Sequence, residues 1–219
     1  MSADARGAGL AERLVAWMAA DRAGLDALMA EEGSRAVHEE FLLAEGGTLP
    51  DLRACLGRAR GASARAWTRH LARGVEAVWC DAEPGLAGRV ERWSAAHPER
   101  LEALALEERA AAERRGASGD PDADERDAEL IAHCRLFAEA LASQAPSLEA
   151  EPPPEFARRV AVRAREQEGR RRQVEAEAAA AWEPGPGTDD PRAREAAAVW
   201  AHVRVLAEAL EQELPGASA

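Results

Sequence analysis

Three histidines at matching places in repeated stretches are the residues of this sequence best placed to do chemistry. The stretch LIAHCRLFAEAL ends at Leu141 and VWAHVRVLAEAL ends at Leu210, so that His133 matches His202. An earlier stretch, Trp67-x-x-His70-Leu71, follows the same pattern. Histidine changes charge near neutral pH and is a common metal ligand. An acid–base or metal site is therefore one interpretation of the three positions.

The spacing around these histidines favours a structural role instead. No His-x-x-x-His pair and no Glu-x-x-His pair occurs at a repeated position, so a di-metal helical bundle has no support. His133 and Cys134 are adjacent and would point about 100° apart on a helix. Cys55 and Cys80 have no close partner, whereas structural zinc needs four ligands. We expect half-packed histidines, buried thiols and no metal-binding residue.

Sequence signatures of catalysis are also missing. The chain has no Gly-x-Ser-x-Gly, no P-loop and no Gly-x-Gly-x-x-Gly. Gly185-Pro186-Gly187 belongs to a Pro- and Gly-rich stretch that is typical of a linker. The sequence predicts a protein that is not an enzyme, with no catalytic residue, no cofactor and no small-molecule substrate.

Charge and composition limit the kinds of partner. The 40 acidic residues exceed the 28 basic ones and give a formal net charge of −12, which argues against nucleic acid as a partner. Three scattered cysteines do not form a disulfide framework, and a reducing cytoplasm is the expected location. No apolar run approaches about 18 residues, and the first residues do not resemble a signal peptide. We therefore expect an acidic cytoplasmic protein without a membrane partner.

Apolar residues recur at helical spacing along the chain, and no alternating strand pattern is present. The fold is predicted to be all-α, either a multi-helix bundle or an array of short helical hairpins. The first helix is predicted to run from Leu10 through Met29 and to stop at Gly33. Ser63 is predicted to cap a later helix, and His97-Pro98 to interrupt another.

The repeat predicts how the chain is divided. PGLAGRV, which ends at Val90, is similar to PEFARRV, which ends at Val160. With the histidine stretches, this predicts copies at 62–115 and 126–182 and half a copy at 192–214. Gly-, Pro- and Asp-rich stretches predict linkers at 116–125 and 183–191. We expect an N-terminal helical domain, 1–115, and a C-terminal helical domain, 126–219, which carries the duplicated helix unit.

An Arg-rich segment is the most distinctive surface feature. Between Arg163 and Gln173 only Ala164 is apolar, so this helix has little to bury and is either a solvated charged face or a protein contact. The candidate partner-binding residues are the arginines of this segment together with nearby aromatic residues: Phe156, Arg158, Arg159, Arg163, Arg170, Arg171, Arg172, Trp182 and Trp200.

Residues 130–165 resemble the core of the zinc-binding anti-sigma factors. That family has a helix with His-x-x-x-Cys-x-x-Cys, followed by a helix that begins Pro-Phe-Ala-x-Arg-Val or similar. His133 matches the first motif, and Pro154-x-Phe156-Ala157-x-Arg159-Val160 matches the second. Phe137 and Ala140 stand where the family has cysteines, so zinc binding is not implied. The resemblance implies a metal-free version whose helices mask a sigma factor.

The sequence therefore predicts a non-enzymatic regulatory protein-binding module. It would be anti-sigma-like or inhibitor-like and would act in transcription regulation by occluding a protein partner, a sigma factor or a protease. One alternative is a helical-repeat scaffold or adaptor subunit of a larger assembly. The second is a metal-binding helical-bundle enzyme that uses His70, His133 and His202.

Overall fold

The computed structural model describes residues 8–44, 52–115, 121–148, 151–182 and 191–217. Within these ranges the regular structure is helical, with one short 3-10 turn at Pro146–Leu148, which confirms the all-α prediction. The α-helices are α1 (Leu10–Ala20), α2 (Arg22–Ala44), α3 (Leu52–Val78), α4 (Leu86–Ala96), α5 (Pro98–Arg115), α6 (Pro121–Gln144), α7 (Pro153–Glu166), α8 (Glu168–Trp182) and α9 (Pro191–Glu213).

These helices form three units with the same plan: a short helix, a one-residue break, a second helix, and then a long helix. The units are α1–α2–α3, α4–α5–α6 and α7–α8–α9. The first helix of each unit contains a similar stretch, LAERL, LAGRV or FARRV, whose first residue is fully buried. The break follows eleven residues later in every unit, at Asp21, His97 and Gln167.

The break at His97 has a local cause in the sequence that the break at Asp21 lacks. Pro98 disfavours helical backbone at the residue before it, and His97 accordingly has φ −126° and ψ 53°, which confirms the predicted interruption. Asp21 leaves the helix without a neighbouring proline, at φ −95° and ψ 45°. The predicted helix through Leu10 and Met29 is therefore divided at Asp21, and its predicted stop at Gly33 is wrong because α2 continues past it. Ser63 lies inside α3 and does not cap it.

The three units close into a ring. The long helices α3, α6 and α9 contact one another at the centre. Each short helix packs between the long helix of the preceding unit and that of its own: α4 between α3 and α6, α7 between α6 and α9, and α1 between α9 and α3. Each predicted copy starts with a long helix, so the half copy at 192–214 corresponds to α9 alone. The two shorter helices that complete this copy are α1 and α2, at the other end of the described chain.

Contacts between α3 and α9 show that the two helices run in the same direction. Arg60 lies 3.2 Å from Glu195, and the Trp67 and Trp200 rings are 5.1 Å apart. Further along, the Trp79 indole N–H donates to the carbonyl of Pro215 at 3.0 Å. Residue numbers increase in the same direction along both helices, so α3 and α9 are parallel. Equivalent helices in a ring of repeated units have this arrangement.

One hydrophobic cluster joins the units. It extends from Leu10 to Ala217 and includes buried residues from both predicted domains. The linker prediction at 116–125 overlaps α6, which already begins at Pro121, and 116–120 and 183–190 lie outside the described residues. The described parts of the two predicted domains thus share a core.

The residue that opens each unit provides a test of the repeat. Phe156 is fully buried at the place that Leu10 and Leu86 occupy in the other units. We expect Phe156→Ala to lower the free energy of unfolding by about 3–5 kcal/mol, because it leaves a cavity. Phe156→Leu restores the residue used in the other units and should cost about 1 kcal/mol. Urea unfolding followed by circular dichroism measures both.

Val162→Ala on the exposed side of the same helix is the matched control and should change stability by less than about 0.5 kcal/mol. Equal losses for Phe156→Leu and Phe156→Ala would show that the three positions are not equivalent.

Candidate functional site

A cavity of about 710 Å³ lies between α6, α7, α8 and α9, within the size range of small-molecule sites. Side chains from three of these helices form its apolar wall: Ile131, Cys134, Val160, Ala164, Val205 and Leu206. His202 also lines the cavity, together with charged residues of α6, α7 and α8. The repeated histidine of the third unit is thus placed beside a space that can hold a ligand. We call this space the His202 cavity.

The hydrogen bonding of His202 fixes the role of each ring nitrogen. Its Nδ1 lies 2.9 Å from the backbone carbonyl of Ala198, one turn earlier on α9. A carbonyl oxygen can only accept, so Nδ1 carries the proton of the neutral ring and Nε2 carries a lone pair. Nε2 is buried and has no hydrogen-bond partner. Buried polar atoms are nearly always paired, so an unpaired acceptor at this position is unusual. We call this nitrogen a vacant acceptor.

The surroundings of His202 keep its ring neutral. Burial lowers its pKa from an ordinary value of 6.5 to about 4, and the positive charges of Arg171 and Arg126 act in the same direction. Asp127 opposes them but does not compensate for burial. Near pH 7 the side chain is therefore an uncharged imidazole.

An ion-pair network closes one side of the His202 cavity. The buried Arg171 donates to Asp127 at 2.8 Å, to Glu168 at 2.8 Å and to Glu175 at 2.9 Å. The hydrogen bond from Arg171, assisted by Arg172, lowers the pKa of Glu168 to about 2. These carboxylates are already satisfied by arginine, so the network is a rigid wall.

Two buried donors complete the polar groups of the His202 cavity. Arg135 and Arg165 both line it and share the buried carboxylate of Glu108, which Arg135 approaches to 2.7 Å. The Nε atoms of both arginines are buried without a hydrogen-bond partner. Three unpaired polar atoms, two donors and one acceptor, thus belong to side chains that line the cavity, and all three are buried in this conformation.

Chemical groups of the His202 cavity are poorly suited to acid–base or nucleophilic catalysis at neutral pH. Burial raises the pKa of the Cys134 thiol to about 12, which leaves no appreciable thiolate. A histidine whose pKa is about 4 is a weak general base. The arrangement is better suited to holding a molecule than to transforming one.

The other two repeated histidines lie in different surroundings. His133 lines a separate cavity of about 530 Å³, and burial lowers its pKa to about 4. His70 is fully buried; its Nε2 lies 3.3 Å from the carbonyl of Met18, and its ring centroid 5.0 Å from that of Trp17. No group of three or more His, Cys, Asp or Glu side chains suited to a metal occurs in the described part of the chain.

The predicted partner-binding residues of α7 divide into buried and exposed positions. Phe156 is inaccessible in the core and therefore does not belong to the surface of this conformation. Arg158, Arg159 and Arg163 lie on the exposed side, where the last two donate to Glu213 at 2.8 and 3.0 Å. Val162 is 44% exposed on the same helix. The outer side of α7 thus carries three arginines and one apolar side chain, with Glu151, Glu166 and Glu213 paired to Arg159 and Arg163.

Arg170, Arg171, Arg172 and Trp200 contact other residues of the chain. Arg170 lies 3.6 Å from Glu208, and Arg172 donates to Glu168 at 2.8 Å. Arg171 is buried in the network described above, and Trp200 is half-buried against Trp67. The side chain of Trp182 lies outside the described residues. The Arg-rich segment thus makes many ion pairs within the chain.

Comparison with known proteins gives no independent indication of function, since no family model, curated protein or solved structure matches this chain. The similarity to anti-sigma factors remains a prediction from residues 130–165. None of the helices in the described ranges is both long and apolar enough to cross a membrane.

The lowered pKa values of His133 and His202 predict a loss of stability in mild acid. The unfolded chain takes up these protons near pH 6.5, whereas the folded protein does so near pH 4. The free energy of unfolding should therefore fall as pH decreases from about 6.5 to about 4. Between pH 7 and pH 5 we expect a loss of about 2 kcal/mol for each histidine.

Urea unfolding at the two pH values measures this loss, and His202→Phe should remove about half of the share that these two histidines contribute. Nitrogen-15 NMR titration of the imidazoles provides the direct check. A His202 ring that takes up its proton near pH 6.5 in the folded protein would contradict the prediction.

Proposed function

We propose that this chain is a non-enzymatic regulatory protein that binds a small amphipathic molecule in the His202 cavity. The observation that carries the proposal is the vacant, buried Nε2 of His202 beside an apolar wall. A bound molecule that donates a hydrogen bond to this nitrogen would remove the cost of leaving it unpaired. The sequence alone predicted no small-molecule ligand, because the cavity is formed by residues that are distant along the chain.

The polar groups of the cavity define the ligand class. A hydroxyl group on the ligand can donate to Nε2 of His202, which only accepts, once a side-chain movement exposes this buried nitrogen to the cavity. A carboxylate can accept from the vacant Nε donors of Arg135 and Arg165. The wall between them, which includes Ile131 and Leu206, favours an apolar ring or chain. The proposed ligand is therefore a hydroxylated apolar carboxylic acid.

Calorimetric titration with 6-hydroxy-2-naphthoate tests this function. The probe has a hydroxyl and a carboxylate on a flat apolar body, and we expect saturable binding. The matched analogue 6-methoxy-2-naphthoate keeps the shape and the carboxylate but cannot donate from its oxygen. It should bind about three- to tenfold more weakly, which corresponds to the loss of one hydrogen bond.

Variants of His202 test whether the probe binds in this cavity. His202→Phe keeps a ring but removes the acceptor, so it should bind both probes equally. His202→Gln restores an acceptor near the place of Nε2 and should recover part of the preference for the hydroxyl. If wild type does not distinguish the probes, or if His202→Phe still prefers the hydroxyl, the proposed function is wrong.

A second candidate function is docking of a protein partner on the outer side of α7. Arg158, Arg159 and Arg163 lie around the exposed Val162, and the last two are paired with glutamates. A partner that places an acidic side chain at Arg158 and a small apolar group at Val162 is complementary to this surface. The resemblance of residues 130–165 to anti-sigma factors suggests a sigma factor as this partner.

Pairwise copurification with each sigma factor of the source genome tests the second candidate. We expect one stable complex, and we expect Val162→Glu combined with Arg158→Glu to reduce its affinity at least tenfold, because both changes repel an acidic surface. Leu106→Glu is the matched control, because Leu106 is an exposed apolar residue, 63% exposed, on a different helix, α5. Failure to form a complex with any sigma factor, or equal losses in both variants, would exclude this surface.

A further inference from the structure

The ring arrangement predicts an equivalent of the His202 cavity beside each unit. His133 stands in the second unit where His202 stands in the third, and it lines the cavity of about 530 Å³. We call this space the His133 cavity. It lies between α3, α4, α5 and α6, with a contribution from α2, which is the His202 arrangement moved back by one unit. The two cavities are therefore copies of one structural position.

Individual lining residues correspond as well. Thr68 lines the His133 cavity and Ile131 the His202 cavity, and each lies two residues before the histidine of its own helix. Ser94 and Ala164 correspond in the same way, eight residues after the start of α4 and eight residues after Phe156 of α7. Two hydroxylated residues thus replace two apolar residues, and the His133 cavity is the smaller copy.

Charge in the lining of the His133 cavity favours an acid. Buried Glu32 accepts from Arg65 at 2.9 Å and from Arg69 at 2.8 Å, while Arg69 also donates to Glu91 at 3.2 Å. Exposed Glu31 accepts from Arg69 as well, at 2.9 Å. The lining includes four arginines and two glutamates: Arg35, Arg65, Arg69, Arg92, Glu32 and Glu91. Even with Glu31, arginines outnumber carboxylates, so a carboxylate is attracted here too.

The first unit carries larger side chains at these two positions, and we call it the filled copy. Trp200 lies two residues before His202, at the place of Thr68 and Ile131, and its ring packs against Trp67. Met18 occupies the place of Ser94 and Ala164, and its carbonyl lies beside the fully buried His70. Both positions of the filled copy thus hold a larger side chain than in the other two copies.

We propose that the His133 cavity is a second binding site for the same class of hydroxylated apolar acid, so that one chain binds two molecules. This inference rests on the function proposed above. The ligand of the His133 cavity is the smaller, single-ring member of the class, since the space is smaller.

Titration of the full chain with 4-hydroxybenzoate, followed by calorimetry and by NMR of the imidazoles, tests the stoichiometry. We expect two equivalents to bind, with one event shifting the His133 signals and the other the His202 signals. Ser94→Met and Ala164→Met each introduce the residue of the filled copy into one cavity only. Each should weaken the event at its own histidine at least tenfold and leave the other unchanged.

The double variant Thr68→Trp/Ser94→Met gives the His133 cavity both residues of the filled copy and should reduce the stoichiometry from two to one. If this variant does not fold, Ser94→Met alone remains decisive. One equivalent that Ala164→Met removes and Ser94→Met leaves intact would overturn the second site while the proposed function stands. Absence of any binding, or binding that neither variant weakens, would overturn both.

Discussion

Close packing of the three long helices is the constraint on which the rest of the fold depends. Buried alanines of α3, α6 and α9 belong to the hydrophobic cluster that joins the units, among them Ala64, Ala138 and Ala207. Alanine allows helix axes to approach closely, and a larger side chain would force the helices apart. Each short helix is then placed by the groove between two long helices, and the cavities arise where the side chains do not fill that groove.

Buried ion pairs set the alignment of the outer helices on this centre. Glu139 of α6 accepts two hydrogen bonds from Arg100 of α5, at 2.8 and 2.7 Å, and is 2% exposed. Glu32 links α2 to α3, and Glu108 links α5 to α6 and α7. A carboxylate this deeply buried is tolerated only when it is paired, so a helix displaced along its axis would leave an uncompensated charge. The alanines at the centre are uncharged and therefore do little to fix the position of a helix along its axis.

The sequence was informative where a local signal exists and silent where the structure depends on distant residues. Helical spacing predicted the fold class, and Pro98 predicted the break at His97. Phe156 was assigned to a contact surface. The apolar residues Ala157, Val160 and Ala161 lie on the same side of the helix and are all buried with it, so their spacing in the sequence indicated an inward face. The cavities could not be predicted, because their size depends on side chains that three or four separate helices contribute. For the same reason nothing in the sequence revealed that Nε2 of His202 is unpaired.

Placement of α1 between α9 and α3 brings the two ends of the described chain together. Gly9 lies directly against Glu211, and the last buried residues, Leu214 and Ala217, belong to the same core as Leu10. During synthesis the first unit therefore lacks one of its two neighbours until α9 has been made, so the ring is completed only when nearly the whole chain is available. The ring does not depend on which unit comes first along the chain. A circularly permuted chain that joins the present ends and opens between α3 and α4 retains every helix and every interface between units.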